Sequence, residues 1–155
     1  METEHHNILA IVQNYLKAIE EGKTADELAS YYSESVEQIE YPNRLLPNGA
    51  KRNLKDLKEA LLRGKNVIIT QNYDIQKSYV IGNTVILETI WTATVAVPIG
   101  QIPPGGQMKA YFAQFIEFNN GKIVHQRTYN FLRRFKSKKQ KFSRADLSRQ
   151  PIVFT

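Results

Sequence analysis

The hydrophobic period changes once along this chain, near residue 65. Apolar residues recur at helical spacing before that point and alternate after it. Ile8, Ile11, Val12, Tyr15, Leu16 and Ile19 line one face of a helix that Gly22 stops. Thr24 with Glu27 reads as a capping box for a second, shorter helix through Leu28 to Tyr32. VEQIEYPN reads as a short strand broken by Pro42. Asn53 caps a third helix with an apolar face of Leu54, Leu57 and Leu61, ended by Gly64. From there VIITQNYDIQKSYV, a Gly82-Asn83 turn and TVILETIWTATVAV predict a hairpin of two long strands. A Pro/Gly loop, PIGQIPPGGQ, leads to MKAYFAQFIEF and KIVHQRTYNFLRRF, two strands joined at Asn119-Asn120-Gly121. Helices followed by a four-stranded antiparallel run imply an α+β fold, with the helices on one face of a curved sheet. A length of 155 residues suits one domain with a real core.

Charge divides the chain. The net +6 averages a nearly neutral body and a basic end. Residues 1–132 hold 13 Lys/Arg against 14 Asp/Glu, whereas residues 133–155 hold 8 against Asp146 alone. We therefore read residues 1–132 as one domain and 133–155 as a basic C-terminal extension. In the extension Phe135 and Phe142 are interleaved with the basic residues. That pattern suits single-stranded nucleic acid or an anionic membrane surface, contacted through residues 133–149; a solvated charge run is the plainer alternative. Ser143 reads as a cap, and Ile152, Val153 and Phe154 as an apolar end that docks on something. No cysteine is present, which excludes a disulfide, a thiolate nucleophile and Cys-ligated metal. His5 and His6 are adjacent and so do not share a helix face, which leaves a metal site poorly supported. The polar start METEHHNILAIVQ resembles neither a signal peptide nor a membrane span, so a cytoplasmic protein is expected.

The strand AYFAQFIEF is apolar on both parities. Phe112, Ile116 and Phe118 lie with Gln114, and Tyr111, Ala113 and Phe115 lie opposite. Helices cover one face. A second copy of the chain is the simplest cover for the other, and the C-terminal extension is the competing cover; a homodimer is the expectation.

VQNYLKAIEEG, YYSESVEQIEYPN, IWTATV, IPPGGQ and FIEFNNGKIV occur in an order and spacing that resemble the SnoaL-like branch of the nuclear transport factor 2-like superfamily. The resemblance spans roughly residues 7 to 132, nearly the whole chain apart from the extension. It implies a conical α+β barrel: three N-terminal helices packed on a strongly curved, mainly antiparallel sheet that encloses one pocket. That family includes polyketide cyclases, ketosteroid isomerase, lyases and epoxide hydrolases, together with members that only bind, so fold alone does not decide function.

The family's catalytic positions are only partly kept. Ketosteroid isomerase pairs an Asp base with a Tyr and a protonated Asp that stabilise an oxyanion. By resemblance Tyr15 matches the oxyanion Tyr, Tyr41 stands where the base would be, and Gln114 replaces the protonated Asp. The acid/base Asp of the cyclases falls on Phe131. Whether the chain is an enzyme is therefore open.

A polar row on the last strand compensates. Alternation gives Ile123, His125, Arg127, Tyr129 and Phe131 one face, expected to point inward. The sharp expectation is proton abstraction beside a carbonyl, with His125 as base and Tyr15 and Arg127 holding the oxygen. Tyr129, Tyr41, Trp91, Gln114 and Phe131 would line the ligand, with Tyr41 at the mouth. The plainer readings are a hydrogen-bonded strand histidine, an Arg127 pair with Glu88 or Glu117, and a core Tyr15 with a satisfied hydroxyl. Glu40 is an alternative base, although alternation sets it opposite Tyr41. The ligand expected is small and hydrophobic, bears a carbonyl or carboxylate, and is handled without a cofactor. The alternative is a non-catalytic, homodimeric binding module whose basic extension contacts an anionic partner.

Overall fold

The computed structural model describes the backbone of residues 2–133 and the side chains of residues 7–133. The extension's basic run, its phenylalanines and its Ser143 cap lie outside the described residues. The element order is α1 (Glu2–Glu20), α2 (Ala25–Ala29), β1 (Tyr32–Glu40), β2 (Ala50–Arg52), α3 (Leu54–Val67), β3 (Ile68–Ile81), β4 (Thr84–Val95), β5 (Gln107–Asn119) and β6 (Lys122–Leu132). Three helices pack on a six-stranded, strongly curved, unclosed sheet of order β2-β1-β6-β5-β4-β3. Only the β1–β6 pairing is parallel. The fold is α+β, as the change of period predicts.

Local chemistry sets the boundaries. Thr24 caps α2 by accepting from the Glu27 N–H at 3.1 Å. Asn53 and Asp56 form a complete capping box at the start of α3. That helix does not end at Gly64. It continues to Val67, whose side chain is buried in the core. The gain from burying Val67 outweighs the weak helix propensity of one glycine. Tyr32 belongs to β1 rather than to α2, and the short β2 carries too few residues for alternation to reveal it.

The interior is apolar at the helices and aromatic toward β4. Val12, Tyr15, Leu16 and Ile19 of α1 join Leu57 and Leu61 of α3 over Val85, Leu87, Phe112 and Ile116. Trp91 stacks on Phe112 with centroids 5.6 Å apart.

One irregularity decides which side chains enter the cone. Phe118 is opposite Ile123 and Glu117 is opposite His125, so Val124 has no counterpart on β5. The strand bulges there, and a bulge reverses the parity beyond it. Ile123 points inward, but so do Gln126, Thr128 and Leu132, all buried. His125, Arg127, Tyr129 and Phe131 therefore lie on the outer face of the sheet, not in the cone with Ile123. Tyr129 is 45% exposed and Phe131 is 70% exposed.

Candidate functional site

The concave face carries an ordered polar lattice built by cross-strand register. One row runs Gln126, Gln38, Arg52 across β6, β1 and β2. The next runs Gln114, Thr128, Glu40 across β5, β6 and β1. A third places Thr89 and Asn130 on either side of Phe112. Buried polar groups need partners, so the connections define the site.

Most of the lattice is one hydrogen-bonded chain. The Tyr15 and Tyr32 hydroxyls are 2.6 Å apart, and the Tyr32 hydroxyl donates to Gln126 Oε1 at 2.6 Å. A hydroxyl has one proton, so Tyr15 is the donor to Tyr32. Gln38 Nε2 also donates to Gln126 Oε1 at 3.2 Å, and Arg52 donates to Gln38 Oε1 at 3.2 Å. The guanidinium then lies 3.6 Å from a Glu40 carboxylate oxygen. Glu40 and Arg52 are the only buried charged residues among the described residues, and each neutralises the other. Removing one partner of such a pair costs about 3–5 kcal/mol, because the other charge is left buried. Burial, with Tyr15 alongside, holds the Tyr32 hydroxyl well above the ordinary tyrosine pKa.

The lattice is not complete. Gln126 Nε2, Gln114 Oε1, Thr89 Oγ1 and Asn130 Nδ2 are buried with no hydrogen-bond partner among the described residues. Each costs about 1–3 kcal/mol if nothing meets it. Their chemistry is mixed: two amide donors, an amide acceptor and a hydroxyl.

The sequence-predicted residues divide between the two faces. Tyr15, Trp91 and Gln114 are inside and fully buried. Gln114 Nε2 reaches Thr128 Oγ1 at 3.4 Å. Tyr41 is not at an inner mouth: it stacks on outward Tyr129 with centroids 4.4 Å apart. The hydrogen bond with Tyr41 pushes the Tyr129 hydroxyl up from its ordinary pKa. Arg127 donates to Glu117 at 3.1 Å and lies over the Phe115 ring, which is the cross-sheet pair expected as its plainer reading. His125 sits between Glu37 and Glu117 in register, on the outer face. The structure therefore does not bring His125, Arg127 and Tyr15 together. Glu40 is the carboxylate that faces inward.

No family model matches the sequence, and no curated protein does. Solved structures do match. AclR from Streptomyces galilaeus, assigned as a hydroxylase, superposes with a TM-score of 0.69 at 13% identity, over 83% of this chain and 81% of that one. IdmH from Streptomyces antibioticus, assigned as a polyketide cyclase, gives 0.66 at 14% identity, over 79% and 91%. An LEH-like epoxide hydrolase from M. tuberculosis gives 0.64 at 16% identity, over 83% and 85%. The chain has the SnoaL-like, nuclear transport factor 2-like fold. Identities this low establish architecture, and the residues of this SnoaL-like cone must carry the rest.

Within the cone, Tyr32, Gln38, Arg52, Thr89, Gln126 and Thr128 are members of the lattice that the pattern reading missed. A signal for Gln126 and Thr128 was present. Ile123 and Leu132 are an odd number of residues apart, so both can be core only if a bulge lies between them. Among the described residues no group of three or more His, Asp or Glu could hold a metal. No helix among them is long and apolar enough to cross a membrane.

Proposed function

We propose that the inner face of the cone binds a small, mostly apolar, uncharged ligand bearing a carbonyl and a hydroxyl, without a cofactor. The proposal extends to proton abstraction beside that carbonyl, with isomerase, cyclase or lyase chemistry as the outcome. Glu40 is then the base, in place of the outward-facing His125. The observation that carries this reading is Gln126 Nε2, a buried donor at the centre of the lattice with no partner among the described residues. A ligand carbonyl would satisfy it, and Gln114 Oε1 would accept from a ligand hydroxyl. A neutral ligand is favoured over a carboxylate because the buried cation, Arg52, is already compensated by Glu40. The hydroxylase, cyclase and epoxide hydrolase assignments of structural neighbours lend analogy to small-molecule work.

A thermal-shift screen tests this. Neutral aromatic hydroxyketones should raise the melting temperature and their carboxylate analogues should not. A ligand at 100 times its dissociation constant stabilises by about 2.7 kcal/mol, worth several degrees for a domain of this size. Gln126→Met should erase the shift while circular dichroism shows the fold intact. Equal shifts in Gln126→Met and wild type, or no shift with any neutral ketone, would count against the reading.

A second reading, a homodimer joined through the outer face, is favoured by the aromatic surface that Tyr111, Tyr129 and Phe131 expose there. The two readings are compatible, because they use opposite faces of one sheet.

A further inference from the structure

The depression of about 470 Å³ beside Phe131 is a channel that runs across the strands. Cross-strand register sets Thr89, Phe112 and Asn130 in one row over β4, β5 and β6, and all three line it. Its flanks are the two adjoining rows. Glu88, Ala113 and Tyr129 form one, and Ile90, Tyr111 and Phe131 form the other. Adjacent rows send their side chains to opposite faces, so the flanking rows stand up as walls and the middle row leaves the gap between them. Gln76 of β3 lines the far end. It has no counterpart on β4, because Ile75 pairs with Thr89 and Lys77 with Glu88. The channel thus crosses from β6 to β3, a distance of about 14 Å at the usual strand spacing of about 4.8 Å.

Its chemistry selects an occupant. Glu88 is the one charged residue of the lining, and it is exposed with no ion pair among the described residues, although Lys77 is opposite it in register. The faces of aromatic rings attract cations, and Lys109 already holds its ammonium 5.8 Å from the Tyr111 centroid. Aromatic walls beside an unpaired carboxylate suit a segment that mixes cations with aromatics. Residues 134–144 are such a segment, with six Lys/Arg, no Asp or Glu, and Phe135 and Phe142. They also start beside the channel. Phe131 lines it, and two residues on Arg133 donates its N–H to the Lys109 carbonyl at 2.9 Å. We infer that this channel is the docking site of the chain's own basic extension, which turns back through residues 134–137 and lays residues 138–142 across it, lysines toward Glu88 and Phe142 between the aromatic walls. Five extended residues span about 16 Å, enough to cross. A tethered segment acts at an effective concentration on the order of millimolar, which favours it over a second copy present at micromolar levels.

The chain has no cysteine, so a pair of introduced ones reports on this contact alone. In full-length Ala113→Cys/Gln140→Cys, with oxidised glutathione as the oxidant, a disulfide within one copy should form at least tenfold faster than in Lys51→Cys/Gln140→Cys. Lys51 is exposed on β2, at the edge of the sheet and away from the channel. Adding Glu88→Lys to the first pair should slow its closure at least fivefold at low salt, with circular dichroism showing the fold kept. Equal rates in the two pairs would overturn the docking. A disulfide that joins two copies of the single variant Ala113→Cys faster than the first pair closes within one copy would overturn it too, and would give the channel to a second copy. Closure unaffected by Glu88→Lys would overturn the match of charge on which the choice of occupant rests.

Discussion

Tyr32 is the hinge of the buried relay, accepting from Tyr15 and donating to Gln126. Its raised pKa fixes the sign of a pH effect. In the unfolded chain a tyrosine titrates near about 10, so on raising the pH the unfolded state loses this proton first. The stabilisation is complete below about pH 10 and falls as the pH climbs toward the higher folded value. Tyr32→Phe should be less stable at neutral pH by about 1–3 kcal/mol, because its bonds with Tyr15 and Gln126 are both lost. It should also show a shallower loss of stability above about pH 10. Urea melts at stepped alkaline pH measure both. An alkaline slope as steep as wild type would place the pH dependence elsewhere. Arg127 shows the opposite residue-scale lesson. Its charge is engaged on the outer face with Glu117 and Phe115, not with the polar lattice.

Among the elements, two glycines in similar-looking polar stretches have opposite meanings. Gly49 adopts φ +66°, and a Cβ there would lie 2.5 Å from the Glu40 carbonyl oxygen. The loop from Pro42 to β2 closes over the end of β1 only because that position is bare. Gly49→Ala should destabilise by about 1–3 kcal/mol through left-handed backbone strain and the clash. Gly64→Ala should stabilise by about 0.5–1 kcal/mol through helix propensity. Chemical denaturation of the two variants gives both signs, and a shared sign would contradict the packing described for one of them. The bulge at Val124 is the other device at this level. By one unpaired residue it exchanges a row of His, Arg, Tyr and Phe for a row of Gln, Thr and Asn on the concave face.

Taken whole, the sheet has two unlike faces. The concave side is covered by helices and polar within; the outer side exposes Tyr111, Tyr129 and Phe131, which border a depression of about 470 Å³ that Thr89, Phe112 and Asn130 also line. Tyr111 and Phe131 are opposite each other in register, so they form one patch of the kind that a second copy would cover. If a second copy covers it, Phe131→Glu should convert a dimer to a monomer in sedimentation velocity, because it buries an unpaired charge in the interface. The full chain sedimenting as a monomer at tens of micromolar would leave that face to another occupant.

The class of the fold, the helix faces and the long strands were legible in the amino-acid order alone. They follow from periodicity and from capping and turn residues such as Asn53 and the Asn119-Asn120-Gly121 turn, all signals carried within a few neighbouring residues. Tyr15 and Gln114 could also be placed inside, because each sits in an otherwise apolar row. The face of β6 that enters the cone was settled by strand pairing instead. A bulge is defined by the strand opposite, and no local pattern obliges Val124 to be the residue left over. The same is true of Glu40 and Arg52. They are 12 residues apart, on strands whose pairing across a loop buries them together, and a charge is tolerated in a core only when its partner is already there.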